Sequence, residues 1–140
     1  VQQGMSYGNC FLPNCTNSRR EIRFNPALAT YNYNTRALTV ALRDPIAAQP
    51  DPALAQMITE FTTGDLLPQF TVTGTRDMLL IAAEAALARG DQPGYASAMN
   101  ALRALHNLPA WTGAAGQPSA RELLVHARRV NLYLTGQRLN

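Results

Sequence analysis

Apolar residues recur three or four positions apart in four stretches of the chain, all of them after the first fifty residues. This spacing places the apolar side chains on one face of an α-helix. The predicted helices cover residues 52–63, 75–89, 92–106 and 119–135. The pattern therefore predicts a mainly α-helical fold.

Residues whose side chains can cap a helix stand directly before these stretches. They are Asp51, Thr75, Asp91 and Ser119. Ser119 is followed three residues later by Glu122, so the two predict a capping box in which each side chain binds the backbone amide of the other residue. Only Gly90 and Asp91 separate the second helix from the third, and we therefore expect these two helices to form an antiparallel hairpin.

The second predicted helix is apolar almost all round. Between Leu79 and Ala88 only Glu84 is polar, and five of the remaining residues are alanine. A helix without a polar face is usually buried on more than one side, and alanine lets a neighbouring helix approach closely. We therefore expect this helix to lie inside the helical region.

The first fifty residues are rich in Gly, Asn, Pro, Ser and Tyr, which favour turns over helices. Residues 21–24 predict a short strand. Residues 36–43 fit neither the helical nor the strand period cleanly, and a short helix that ends at Asp44-Pro45 is the weak preference. The predicted organisation is a loop-rich segment over residues 1–50 and a helical region over residues 51–140.

Cys10 and Cys15 are the two cysteines of the chain, and a Pro-Asn turn lies between them. Four intervening residues allow a small disulfide loop in an oxidising compartment. A disulfide is the favoured interpretation, with free thiols as the alternative. A metal site is disfavoured because two thiolates need further ligands and neither histidine is near in sequence.

Composition narrows the function classes. The chain is 46% hydrophobic and 15% charged, so it can bury a core, and its net charge of +3 is too small to indicate nucleic-acid binding. No apolar run approaches the ~20 residues that cross a bilayer. The first residue is Val1, and we expect the sequence to be a portion of a longer chain.

Four short motifs then follow one another from residue 75 onward. The second helix is similar to a pattern in which an aromatic residue or Met is followed by Leu-Ile-x-Ala-Glu-Ala. A Leu-x-x-Gly-Asp turn comes next. The third helix contains a Leu-Asn-x-Val-Arg pattern with an x-Leu-Pro exit, and the last helix is similar to Leu-x-x-Glu-Arg-x-x-Glu-Leu-x-x-Glu-Gly-x-Arg. The corresponding segments are residues 75–85, 87–91, 99–109 and 122–139.

These motifs, over roughly residues 75–140, resemble the C-terminal helical region of the SusD/RagB family of outer-membrane nutrient-binding lipoproteins. The chain departs from the pattern at Asn131 and Thr135, where the family often has acidic residues, and in the Arg128-Arg129 pair. The resemblance implies tetratricopeptide-like helical hairpins, a lipid anchor outside this chain and an outward-facing place on the outer membrane. It also implies a TonB-dependent transporter as partner and an oligosaccharide or peptide as ligand.

Aromatic side chains are the candidate ligand contacts, because sugar rings stack on aromatic faces. Trp111 lies in a predicted loop, where the alternative is a ring that covers the end of the hairpin core. Tyr31 and Tyr33 alternate with asparagines, so an extended backbone would put both rings on one face as a stacking platform. The alternative for the tyrosines is an ordinary packed loop.

No group of residues predicts catalysis, and neither a cofactor nor a metal is expected. Glu84 is best explained by a structural hydrogen bond, and His106 and His126 have no second ligand at a useful spacing. Arg121 and Arg128 lie two helical turns apart and can share a basic face. The alternative to nutrient binding is a helical-repeat module for protein–protein interaction or a structural subunit of a cell-surface assembly.

Overall fold

A computed structural model describes residues 24–32, 34–63 and 74–134. Within these ranges the helices are α1 (Pro52–Thr63), α2 (Thr75–Ala88), α3 (Gln92–Ala104) and α4 (Ala120–Asn131). Two strands, β1 (Ala29–Asn32) and β2 (Ala37–Val40), pair antiparallel. The prediction of a mainly α-helical fold is confirmed.

The chain divides between Ala41 and Leu42 into two compact units. The predicted division was nine residues later, at residue 50. The difference has a physical reason: Asp44 and its neighbours belong with the helices, because an ion pair from Asp44 to Arg103 of α3 holds them there.

The first unit contains the β1–β2 hairpin. A short helix was the weak preference for residues 36–43, but Ala37–Val40 form the strand β2, so that prediction was wrong. In the pairing, Tyr31 faces Leu38 and Ala29 faces Val40. An apolar run this short suits either period, and the hydrogen bonds to β1 decide for the strand. Most of the strand predicted at 21–24 lies outside the described residues.

The turn of this hairpin is built by local side-chain bonds. The Asn32 side-chain oxygen accepts hydrogen bonds from the amides of Asn34 and Thr35 at 3.0 and 3.2 Å. Arg36 then takes a positive φ of 56°, which reverses the chain into β2. These bonds explain why the Asn-rich segment turns here.

In the second unit, α2 and α3 form the predicted hairpin. Gly90 adopts a φ of +71°, which glycine reaches without steric cost, and Asp91 caps α3 by accepting from the amide of Gly94 at 2.9 Å. The cap of α2 is Gly74 in place of the predicted Thr75, and Asp77 there accepts from the Gly74 amide at 2.7 Å.

A single hydrophobic core lies between α2, α3 and α4. Its most buried members are Leu80, Ala83, Tyr95, Met99, Leu102 and Leu123. The capping box of α4 forms as predicted: the Ser119 amide donates to Glu122 at 2.9 Å and the Glu122 amide donates to the Ser119 hydroxyl at 3.3 Å. The caps and the core therefore hold the three helices in one arrangement.

α2 is buried along one side, where a helix buried on more than one side was expected. Leu80, Ala83 and Ala86 are buried against its neighbours, whereas Met78 and Ile81 are each 58% exposed.

Among the described residues, no helix is long and apolar enough to span a membrane.

Candidate functional site

The second unit contains a cluster of buried and partly buried polar side chains where the 42–51 loop meets α3 and α4. Its members are Asp44, Asp51, Arg103, His106, His126 and Asn131. They line a small cavity of about 20 Å³, which has room for about one water molecule. A space of this size suits a buried structural network and excludes a substrate the size of a sugar.

Asp44 and Arg103 form a bidentate ion pair inside this cluster. The two guanidinium nitrogens donate to the two carboxylate oxygens at 2.8 and 2.9 Å, and the side chains are 1% and 5% exposed. Burial alone raises the pKa of Asp44, but the hydrogen bonds from Arg103 and from the amides of Ala47 and Ile46 outweigh it and hold the pKa below its ordinary value. The pair therefore anchors the loop to α3 as two charges.

The two carboxylate oxygens of Asp51 bind different partners. One oxygen caps α1 by accepting from the amides of Ala53 and Leu54 at 2.9 and 3.1 Å. The other lies 2.7 Å from Nε2 of His126 in α4. The carboxylate is 1% exposed, so this contact ties the start of α1 to the middle of α4.

His106 is the second histidine of the cluster, and Asn131 is its partner. Nε2 of His106 lies 3.4 Å from the Asn131 side-chain oxygen, and the Asn131 amide nitrogen donates to the backbone of Ala127 at 2.9 Å. Burial lowers the pKa of His106 below its ordinary value, and the Asn131 contact offsets this only in part. Burial thus favours the neutral form of the ring.

Three of these residues approach the geometry of a metal site. One donor atom each from Asp44, Asp51 and His126 lies within 4.8 Å of the others. Their donors are engaged within the protein, because Arg103 occupies both Asp44 oxygens and His126 occupies the free oxygen of Asp51. The guanidinium also supplies the positive charge that a cation would bring, so the arrangement favours an ion-pair network.

Trp111, a predicted ligand contact, is buried at 8% exposure. Its indole N–H donates to the Pro118 carbonyl at 2.9 Å, and its ring meets Tyr95 edge to face with centroids 5.1 Å apart. Asn100 binds both the amide and the carbonyl of Trp111, at 2.7 and 3.0 Å. This placement favours the alternative, in which the ring covers the end of the hairpin core.

Tyr95 links this corner to the last helix. Its hydroxyl donates to the Ala120 carbonyl at 2.6 Å. Burial raises the pKa of Tyr95 to about 12, and the charge of Arg103 opposes the rise. The hydroxyl therefore stays protonated and serves as a structural donor.

Tyr31, the second predicted ligand contact, lies in the extended strand β1 and is half-buried. Its ring meets Phe24 edge to face with centroids 6.5 Å apart. Tyr33, the third, lies outside the described residues, as do Cys10 and Cys15. Of the three predicted aromatic residues, the structure thus describes Tyr31 in the first unit and Trp111 in the second.

Glu84 has the structural role that the sequence predicted, since it forms an ion pair with Arg128 of α4. Both side chains are about one-third exposed. Arg128 is thereby occupied, and Arg121 is exposed on the same helix. The two arginines do not act as one free basic face.

The sequence offered no signal for the Asp44–Arg103 and Asp51–His126 pairs. Their members are 59 and 75 residues apart, and each aspartate was interpreted only as a helix end or a cap.

Comparison with protein-family models, with curated proteins and with solved structures finds no match for this chain.

Proposed function

We propose that this chain is the helical support of a bacterial outer-membrane nutrient-binding protein of the SusD/RagB type. In this proposal it holds an oligosaccharide or peptide without changing it chemically. A TonB-dependent transporter receives the ligand, and a lipid anchor outside this sequence keeps the protein on the outward-facing membrane surface.

The observation that carries the proposal is that polar residues of the four resembling motifs bind one another or stabilise the turns between helices. Glu84 of the Ala-Glu-Ala motif pairs with Arg128 of the last helix, and Asp91 of the Gly-Asp turn caps α3. Arg103 of the third motif donates to the Pro109 carbonyl at 2.6 Å, at the Leu-Pro exit. Glu84, Asp91 and Arg103 thus each have a structural role in one helical unit.

The finer fold in this proposal is tetratricopeptide-like. The α2–α3 hairpin, with a three-residue connection and alanines at the buried face of α2, is the unit that such folds repeat. A support of this kind suits a binding protein because rigid helices hold contacts on loops and strands in fixed positions.

Tyr31 is the strongest ligand contact in the proposal. It lies on a strand and is half-buried, so part of its surface is available for stacking. Trp111 stays a predicted contact, but its ring face is almost fully occupied by the core. We therefore expect sugar or peptide binding to depend on Tyr31 more than on Trp111.

Isothermal titration tests the proposal. The full chain is titrated with neutral oligosaccharides of different sugars and with short peptides. We expect at least one class to bind, Tyr31→Leu to weaken that binding at least about tenfold, and Tyr31→Phe to retain it, because phenylalanine keeps the stacking face.

Thr30→Ala is the matched control. Thr30 is exposed on the opposite face of β1 and should leave the affinity unchanged. Absence of binding to every oligosaccharide and peptide, or equal effects of Tyr31→Leu and Thr30→Ala, would contradict the proposal.

A second candidate is a helical-repeat module for protein–protein interaction. The observation in its favour is the exposed apolar side of α2, where Met78 and Ile81 are each 58% exposed. Affinity capture with the full chain distinguishes the two: one stoichiometric protein partner without any oligosaccharide or peptide affinity favours the interaction module.

A further inference from the structure

α1 packs outside the main hydrophobic core of the helical unit. Within the described residues, the core between α2, α3 and α4 contains none of the side chains of α1. The buried residues of α1 are Ala53, Leu54, Met57 and Ile58, and the helix packs on α4. α1 is thus a separate layer, and it can move away from α4 without opening the core.

His106 lies beside the body of α1. Its ring lines the small polar cavity together with Ala53 of α1, and the carboxylates of Asp51 and Glu60 both act on it. These two carboxylates are nine positions apart, which is roughly 13 Å along a helix. A ring within electrostatic reach of both lies alongside α1 and not at one of its ends, so α1 shields the ring from water.

The hydrogen bond to Asn131 fixes which ring nitrogen of His106 takes up a proton. The Asn131 amide nitrogen donates to the Ala127 carbonyl, so the Asn131 side-chain oxygen faces Nε2 of His106 at 3.4 Å and accepts a hydrogen there. The neutral ring therefore carries its hydrogen on Nε2, and a second proton goes to Nδ1. No described residue offers an acceptor to Nδ1, so the added proton has no protein partner while α1 packs on α4.

Charged and titratable side chains from every neighbouring element surround this ring. They are Asp44 and Asp51 of the 42–51 loop, Glu60 of α1, Arg76 of α2, Arg103 of α3 and His126 of α4. Each of the three carboxylates already has a partner: Asp44 binds Arg103, Asp51 binds His126, and Glu60 binds Arg76. Among these groups, no carboxylate is left to pair directly with a protonated His106. Burial outweighs the attraction of Asp51 and Glu60, and the pKa of His106 stays below its ordinary value.

From this placement we infer that α1 is a pH-dependent flap: acidification protonates His106 and releases the body of α1 from α4, while α2, α3 and α4 stay folded. Release lets water reach the ring, and a hydrated imidazolium is favoured over a buried one whose proton has no acceptor. The start of α1 stays attached, because a proton on His126 turns its 2.7 Å contact with Asp51 into an ion pair. Asp51 is therefore the hinge of the flap. This inference is independent of nutrient binding.

Amide hydrogen exchange of the full chain at pH 8 and pH 5, corrected for the intrinsic exchange rates, tests the inference. The open form binds more protons than the closed form, so opening grows as the pH falls through the ordinary histidine pKa of about 6.5. We expect the protection of α1 to fall at least about threefold and the protection of α3 and α4 to change less. Unchanged protection of α1, or an equal fall in all three helices, would overturn the inference.

His106→Gln should remove the pH dependence of protection in α1, because glutamine does not titrate. His126→Gln is the matched control, since it removes the other histidine of the cluster while the new amide still donates to Asp51. α1 of this control should lose protection toward pH 5 as in the wild type. A pH dependence that disappears with His126 and persists without His106 overturns the inference.

Asn131→Asp tests the inference in the opposite direction. The aspartate places a carboxylate opposite Nε2 of His106, where Asn131 has a neutral oxygen. A protonated ring then has a charged partner while α1 packs on α4, so α1 should keep its protection at pH 5. Urea unfolding checks that each variant folds. An Asn131→Asp chain whose α1 loses as much protection at pH 5 as the wild type overturns the inference.

Discussion

Arg103 has acceptors on two sides, and this makes it the most consequential single residue of the helical unit. Its guanidinium binds both oxygens of Asp44, and its Nε donates to the Pro109 carbonyl. A buried guanidinium with these partners is well satisfied, whereas either partner alone would be costly. Stability should therefore respond far more to loss of Arg103 than to loss of an exposed arginine.

Arg103→Ala leaves the Asp44 carboxylate buried without its counter-charge. We expect the free energy of unfolding to fall by about 3 to 5 kcal/mol, measured by urea denaturation. Arg121→Ala, which removes an exposed arginine from α4, should change it by less than about 0.5 kcal/mol. Similar losses in the two variants would show that the Asp44–Arg103 pair has little energetic importance.

The lowered pKa of His106 predicts how the free energy of unfolding depends on pH. Because burial lowers its pKa in the folded state, the unfolded chain takes up a proton first as the pH falls. The contribution of His106 to the free energy of unfolding is therefore present above the ordinary histidine pKa of about 6.5. It is lost as the pH falls toward the lowered pKa of the folded state. Asp44 acts in a lower window, because its ordinary pKa is 3.8.

His106→Gln should reduce the loss of stability between pH 8 and pH 5, because glutamine does not titrate. Urea denaturation of the wild type and the variant at both pH values measures this difference. A variant whose stability falls as steeply as that of the wild type would refute the assignment to His106.

At the scale of elements, the α2–α3 turn depends on a glycine inside a helix. A Cβ at Gly94 would lie 2.2 Å from Oδ2 of Asp91, the carboxylate that caps α3. The cap and the glycine therefore depend on each other. This dependence runs against the general rule that alanine stabilises a helix relative to glycine.

Gly94→Ala should fail to give the usual stabilisation of up to about 1 kcal/mol and should instead lower the free energy of unfolding, because the Asp91 cap is displaced. In an Asp91→Ala background the same change should be stabilising. A double-mutant cycle by thermal or urea unfolding measures the coupling. Additive effects of the two changes would contradict it.

Secondary-structure elements are the features of this protein that its sequence predicts best. The four helices, the short α2–α3 connection and the Ser119–Glu122 capping box follow from periodicity and local hydrogen bonding. Among the described residues, the strand β1 at Ala29–Asn32 was not predicted, and β2, over Ala37–Val40, was wrongly predicted as a short helix. Its residues suit a helix or a strand equally, and the pairing with β1 that selects the strand is not a local property.

At the scale of the whole molecule, two long-range side-chain contacts hold the helical unit together: the buried Asp44–Arg103 ion pair and the hydrogen-bonded Asp51–His126 contact. Arg103 connects α3 to the 42–51 loop, and Asp51 connects the start of α1 to His126 of α4. α1 thus depends on a contact made near the far end of the sequence. Local opening of α1 should respond to the loss of that contact.

His126→Leu should lower the free energy of unfolding by about 1 to 3 kcal/mol, because Asp51 loses its partner while it stays buried. Amide hydrogen exchange should become faster in α1 and should change less in α3. Exchange measured by mass spectrometry or NMR tests this. Arg128→Ala, which breaks the half-exposed pair with Glu84, should cost no more than about 1 kcal/mol and leave exchange in α1 unchanged. Faster exchange spread equally over α1 and α3 would argue against a specific link.

Near neighbours along the chain account for the helix periodicity, the caps, the glycine turn and the structural role expected for Glu84. The folded chain was needed to show which side chains meet across 59 and 75 residues, that β2 is a strand, and that Trp111 covers the core. The physical reason is that capping and periodicity act within a few residues, whereas ion pairing, strand pairing and burial depend on where the whole chain places each side chain.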